Sequence, residues 1–180
     1  DVGRNLERWV HLVVFRTHSH ERLEQLDQSI SVPLINALTD TYHPCQALAF
    51  GQTVREHGVA FGERGVAFIG DGNNVCHSLM ILCAHLGYPF TVACAPGYEP
   101  AEPITAACVK LAATQGATVD VVNDPRAAVK KAAVVYTDVW ASMGQEQEAG
   151  RRARDFGAYQ VNRDLLSHAP GNVRDCAQNN

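Results

Sequence analysis

The sequence predicts an α/β fold in which a parallel sheet is flanked by helices, a Rossmann-like arrangement. Two observations predict it: short runs rich in Val, Ile and aromatic residues recur along the chain, and stretches with helical spacing lie between them. Strands separated by helices need right-handed crossovers, which make the sheet parallel.

The elements follow in order. Trp9 to Arg16 (WVHLVVFR) reads as a buried strand, Ser19 to Ser29 as a short helix and Val32 to Leu38 as the next strand. Asp40 or Thr41 is then placed to cap a long helix running through Gln46 and Val54 to His57, with Pro44 tolerated in its first turn. Gly62 to Gly65 break the pattern, and Val66 to Ile69 form an apolar strand leading into Gly70-Asp71-Gly72-Asn73-Asn74. Leu79, Leu82, Ala84 and Leu86 give a largely apolar helix ending at Gly87. Phe90 to Cys94 is a strand, Glu102 to Gln115 a helix stopped by Gly116, and Val119 to Val122 a strand. Pro125 to Lys131 is a helix, Val134 to Thr137 a strand, and Gln145 to Asp155 a charged surface helix. No internal repeat or low-complexity linker stands out.

The 180 residues suit one compact domain, or one domain and a piece of another, at roughly 150 residues per domain. With 15 basic and 19 acidic residues the formal charge is -4, and no long basic stripe offers a surface to nucleic acid or to an anionic membrane. The longest uncharged stretch, Gly72 to Tyr98, is interrupted by Asn73, Asn74, His77, His85, Gly87 and Pro89, so no apolar run approaches the ~20 residues of a spanning helix. The chain begins with neither Met nor an apolar signal core, so it is expected to start inside a longer reading frame or after processing. Cysteines at 45, 76, 83, 94, 108 and 176 show no metal spacing, and four lie in apolar runs. The expected setting is a reducing cytoplasm, without a structural metal.

In a parallel sheet, ligands sit at the carboxyl ends of the strands, so the loops after Arg16, Leu38, Ile69, Cys94 and Thr137 are where chemistry belongs. Gly70-Asp-Gly-Asn-Asn opens a helix and matches part of a dinucleotide fingerprint. The third glycine position, however, holds Val75, and no acidic residue tips the next strand. The alternative is a tight turn with Asn73 or Asn74 as helix cap. His43 and Gln46 stand three apart at a helix start, which suits a small oxygen-rich or anionic ligand, or else a capping histidine and a solvated glutamine. Arg16, ending a strand, is an anion contact or a structural ion pair. Asp138, followed by Trp140 and Ser142-Met143-Gly144, offers a carboxylate for an amine, with a hydroxyl and backbone amides for a carboxylate. A buried, hydrogen-bonded Asp138 and a capping Ser142 are the plainer reading.

Four segments together resemble the aspartate/ornithine carbamoyltransferase family, and within it the ornithine branch. They are SVPLINALTDTYHPCQAL (31–48), GVAFIGDGNNVCHSLM (65–80), APGYEP (95–100) and VVYTDVWASMGQEQEAGRRARDFGAYQVN (134–162). The resemblance implies residues 1–57 as the C-terminal part of a carbamoyl-phosphate domain with an interdomain helix, and 58–180 as an ornithine domain incomplete at its C-terminus. It implies that Arg16 and His43 donate to the carbonyl oxygen of carbamoyl phosphate while Gln46 holds the carbamoyl nitrogen. Asp138 would take the α-ammonium of L-ornithine, and Asn74 and the Met143 backbone its carboxylate, with Ser142 assisting. The products would be citrulline and phosphate, with no cofactor and no metal.

Some family features lack a counterpart. No Ser-x-Arg-Thr phosphate loop precedes Arg16. Cys176 falls within a residue of the family's His-Cys-Leu-Pro cysteine, but Asp175 replaces the His and no Leu-Pro follows. Phe50 stands where the family usually has an acidic residue and is expected to disturb that helix face. The family is homotrimeric with shared sites, and a stable trimer is not expected of this chain. Three readings follow: a fragment of an ornithine carbamoyltransferase, a free-standing amino-acid-binding or interaction module, and a nucleotide-binding oxidoreductase disfavoured by its broken fingerprint. The 180 residues alone are expected to form no significant citrulline.

Overall fold

The computed structural model describes residues 2–141 and 146–177. A short helix α1 (Val2–Leu6) precedes β1 (Val13–Arg16), α2 (His20–Asp27), β2 (Leu34–Leu38) and α3 (Pro44–Glu56). Then come β3 (Gly65–Ile69), α4 (Asn74–Leu86), β4 (Phe90–Ala93), α5 (Glu102–Thr114), β5 (Val119–Val122), α6 (Pro125–Val129) and β6 (Ala132–Thr137). Two 3₁₀ turns flank α7 (Ala149–Asp155), and α8 (Arg163–Ser167) and β7 (Arg174–Ala177) close the described chain.

The strands form two parallel sheets, a pair β1-β2 and a five-stranded sheet in the order β5-β4-β3-β6-β7. The α/β class expected from the alternating pattern is the one observed. All five residues of β3 are buried, as a central strand covered on both faces must be. Its side chains alternate: Val66 and Phe68 enter a cluster with Leu79, Met80, Phe90 and Val134, while Ala67 and Ile69 enter a second with Val129, Val135 and Phe156. Two cores thus sandwich one sheet and hold its strand ends rigid.

Local rules explain most boundaries. Asn73 caps α4, its side-chain oxygen accepting from the N–H of Val75 and Cys76, and Gly87 ends the helix in the left-handed region at φ 69°. Ser19 caps α2 by accepting from the Arg22 N–H.

Four expectations need correction. The first strand covers Val13–Arg16 rather than Trp9–Arg16: Trp9 is 83% exposed in the turn after α1, and the strand exposes alternate residues because the face of the β1-β2 pair that carries Val14 and Ile35 is uncovered. Pairing in β2 starts at the Pro33 carbonyl, which accepts from the Val13 N–H. The N-cap of α3 is His43, not Asp40 or Thr41, because residues 39–42 close on themselves in a turn and Asp40 accepts instead from the His20 N–H. The segment read as a charged surface helix is a 3₁₀ turn at Glu146–Glu148 followed by α7, and its Arg152 is buried. β7 and α8 were not read at all.

Candidate active site

The order of strands reverses between β3 and β6: β4 and β5 lie on one side of β3, β6 and β7 on the other. A crevice opens at such a reversal, outside the carboxyl ends. The loops after β3 and β6 are its walls, pinned at their roots where Thr137 Oγ1 donates to the Ile69 carbonyl at 2.8 Å. Across it, the Asn73 side-chain amide donates to Asp138 Oδ2 at 3.2 Å. Asn73 therefore caps α4 with its oxygen and holds the candidate carboxylate with its nitrogen.

The loop between β2 and α3 brings His43 to the same end of the molecule. Its backbone N–H donates to Ser78 Oγ at 2.7 Å, and its ring Nδ1 is buried with no hydrogen-bond partner among the described residues. Burial, and next the positive charge of Arg16, hold this imidazole below its usual range, while Asp138 pulls the other way. Arg16 is exposed at the end of β1. Arg16 and Asp138, 122 residues apart in sequence, thus both act electrostatically on His43.

Gln46, one turn into α3, donates from its amide to the Tyr136 hydroxyl at 2.7 Å. Tyr136 is fixed in turn by Phe50 edge-on at 5.4 Å and by Phe68 stacked at 5.9 Å. Phe50 is therefore buried packing for the residue that holds Gln46, and does not disturb the helix face. Asn74 is engaged as well: its amide donates to the Thr39 carbonyl at 2.6 Å and its oxygen accepts from the Val75 N–H. Ser142 and Met143 lie outside the described residues.

Beside the crevice, a cavity of about 440 Å³ is lined by Asp40, Asp71, His77, Glu99 and Arg152, among others. Arg152 donates to Asp71 at 2.5 Å, to Glu148 at 3.1 Å and to the Trp140 carbonyl at 3.0 Å. It thereby ties α7 to the loops after β3 and β6. Burial raises the Asp71 carboxyl above its usual range, and the guanidinium offsets this only in part.

The glycine-rich loop is filled by the protein itself. Gly72 donates to the Tyr98 carbonyl, and a Cβ on it would sit 2.2 Å from the Pro100 nitrogen. The close approach that a dinucleotide fingerprint reserves for pyrophosphate is taken here by residues 98–100. Among the described residues no cluster of three or more His, Cys, Asp or Glu could hold a metal, and no helix is long and apolar enough to cross a membrane.

Arg16, His43, Gln46, Asn74 and Asp138 are thus gathered at the carboxyl ends of the strands. Sequence reasoning missed Tyr136, Ser78 and Thr39 as residues that hold them, and read Asn73 only as a candidate helix cap and not as the partner of Asp138. The signal for Ser78 was helical spacing, which puts Asn74, His77 and Ser78 on one face of α4.

Comparison with known proteins agrees over almost the whole chain. The family model for the Asp/Orn binding domain of aspartate/ornithine carbamoyltransferase matches residues 63–174, and that for the carbamoyl-P binding domain matches residues 1–56. An ornithine carbamoyltransferase of Methanothermobacter thermautotrophicus is 49% identical over 169 residues, covering 94% of this chain and 56% of that relative. One from Bacillus thuringiensis is 43% identical over 174 residues, 97% of this chain and 55% of the relative. Among solved structures, the Pyrococcus furiosus ornithine carbamoyltransferase superposes with a TM-score of 0.92 at 43% identity, over 98% of this chain and 56% of that one. The anabolic enzyme of Campylobacter jejuni gives 0.93 at 33% identity, over 98% and 58%. The chain spans about half the length of the relatives it matches.

Proposed function

Because the chain belongs to the aspartate/ornithine carbamoyltransferase family, we propose that it contributes the ornithine site and part of the carbamoyl-phosphate site of an enzyme forming citrulline. In this reading residues 1–57 are the end of the carbamoyl-phosphate domain and 58–180 the ornithine domain. Arg16 and His43 polarise the carbonyl of carbamoyl phosphate and stabilise it as an oxyanion, and Gln46 holds the carbamoyl nitrogen. Asp138 takes the α-ammonium of L-ornithine, while Asn74, Ser142 and the Met143 backbone take its carboxylate.

The neutral δ-amine attacks the carbamoyl carbon, the C–O bond to phosphate breaks, and the amine proton is lost as citrulline and phosphate part. No covalent intermediate on the protein is needed: catalysis rests on alignment and on donors aimed at the developing charge. A free alkyl amine has a pKa near ~10, so turnover rises with pH until the δ-ammonium has lost its proton. The free thiols at Cys45, Cys76, Cys83, Cys94 and Cys108 favour the cytoplasm as its setting.

One observation carries the reading: a histidine with a buried, unpartnered ring nitrogen lies where Arg16 from one sheet and Asp138 from the other both act on it. An unsatisfied buried nitrogen is costly, and a ring held at that cost between a cation and a carboxylate marks a functional position. Calorimetric titration with L-ornithine tests the amino-acid half. Binding is expected for the unmodified chain and is lost in Asp138→Ala; unchanged affinity in that variant would refute the site.

A further inference from the structure

The Asn74, His77 and Ser78 face of α4 grips the loop between β2 and α3 at three backbone groups. Asn74 Nδ2 donates to the Thr39 carbonyl at 2.6 Å, His77 Nδ1 meets the Thr41 carbonyl at 2.9 Å, and Ser78 Oγ accepts from the His43 N–H at 2.7 Å. Residues at i, i+3 and i+4 share one side of a helix, so the three contacts form a single row. The loop is also closed on itself: the Thr39 N–H donates to the Tyr42 carbonyl and the Tyr42 N–H to Thr39 Oγ1, with Thr39 fully buried. His43 is the next residue.

The partners of His77 fix its proton. The Ala101 N–H can only donate, so Nε2 accepts from it at 3.0 Å; the Thr41 carbonyl can only accept, so Nδ1 must carry hydrogen. Only the neutral Nδ1–H tautomer satisfies both. Ala101 is the N-cap of α5, so one imidazole joins the His43 loop, α4 and the start of α5. The charged groups facing it are Asp71 after β3, Asp40 in the gripped loop, Glu99 before α5, and Glu148, Arg151 and Arg152 across the adjoining cavity; the Tyr42 ring stands edge-on at 6.3 Å. Burial holds the imidazole below its ordinary range, which keeps the required neutral form at neutral pH.

We propose that His77 is a positioning residue: through the Thr41 carbonyl its neutral form holds the 39–43 loop, and so sets the burial of His43 against Arg16 and Asp138. This deepens the carbamoyl-transfer reading, since it says what fixes the histidine assigned there to the carbonyl oxygen. The positioning itself needs no ligand to be tested.

The test follows the titration of His43 by NMR in the histidine-labelled chain. In His77→Asn the side-chain amide takes the place of Nδ1 and keeps the Thr41 contact while giving up Ala101. His77→Ala loses both, and His77→Gln reaches toward Ala101 but not Thr41. The His43 midpoint is expected to rise toward the ordinary value of about 6.5 in the Ala and Gln variants and to stay at its wild-type value in Asn. A wild-type midpoint in a folded Ala or Gln variant overturns the proposal, and so does an Asn variant shifted as far as Ala. Should the Ala variant not fold, the Gln variant decides alone. A purely structural His77 would lower the urea midpoint of all three variants without moving His43. Failure to bind ornithine would count against the function proposed above and leave this result standing.

Discussion

Arg152→Met should cost about 3–5 kcal/mol of folding stability, the range for removing one partner of a buried ion pair. The size follows from exposure: the Arg152 and Asp71 side chains are only 8% and 12% exposed, so removing the guanidinium leaves Asp71 charged and poorly solvated. The contact with Glu148, itself 56% exposed, adds at most ~1 kcal/mol, and the guanidinium over the Tyr98 ring at 5.0 Å adds a comparable amount. In a chain of this length the ion pair's loss of about 3–5 kcal/mol corresponds to a melting shift of roughly 6–20 °C. Asp71→Asn should be milder, ~1–2 kcal/mol, because Arg152 keeps Glu148 and the Trp140 carbonyl.

The pH dependence has a definite sign. A carboxyl raised in the folded state contributes most below its unfolded pKa, and that contribution is lost as pH rises through the folded value. Without the guanidinium Asp71 rises further, so the Arg152→Met loss should be smaller at pH 5 than at pH 7.5. Urea titrations of both variants at the two pH values measure this. A loss under ~1 kcal/mol for Arg152→Met at pH 7.5, or one no larger than that of Asp71→Asn, would refute the reasoning.

Two further outcomes follow from the same structure. Asn73→Ala removes the α4 cap and the amide on Asp138, and should lower stability by about 0.5–2 kcal/mol, read as a shifted urea midpoint with unchanged slope. Brief alkylation of the native chain followed by peptide mass spectrometry should label Cys45, which is exposed. It should spare Cys76, Cys83, Cys94 and Cys108, which are buried with their thiols pushed up, Cys94 to about 12; labelling of Cys94 as fast as Cys45 would contradict this.

The legible parts of the sequence were those where one local rule decides. Val66–Ile69 had to be a central strand because a run apolar on both faces needs cover on both. A cap at Asn73 or Asn74, which the structure resolves as Asn73, and the Gly87 stop bracketed α4 by local chemistry alone. Trp9–Arg16 misled because an apolar run does not say whether both of its faces will be covered, and here the face that carries Val14 and Ile35 is exposed. Arg174–Ala177 has no strand pattern of its own; its place comes from the exposed edge of β6. In the candidate site, the residues at loop tips could be read from their chemistry. Those that hold them could not, because Gln46 meets Tyr136 across 90 positions and His77 meets Thr41 across 36, through a hydroxyl and a backbone carbonyl that carry no sequence signal.

The pairing of β3 with β6 joins segments 68 residues apart, as Thr137 and Ile69 mark, whereas β3 pairs with β4, and β4 with β5, over shorter stretches of chain. Closing so long a loop is entropically slow, and during synthesis the β6 edge arrives only after the other three strands can have assembled. Until then the wholly apolar β3 keeps one edge open, a template for pairing with the wrong chain. The crevice between β3 and β6 therefore takes shape only after the other neighbour of the central strand is in place, and a nascent chain stalled before Thr137 would be at once aggregation-prone and without a site.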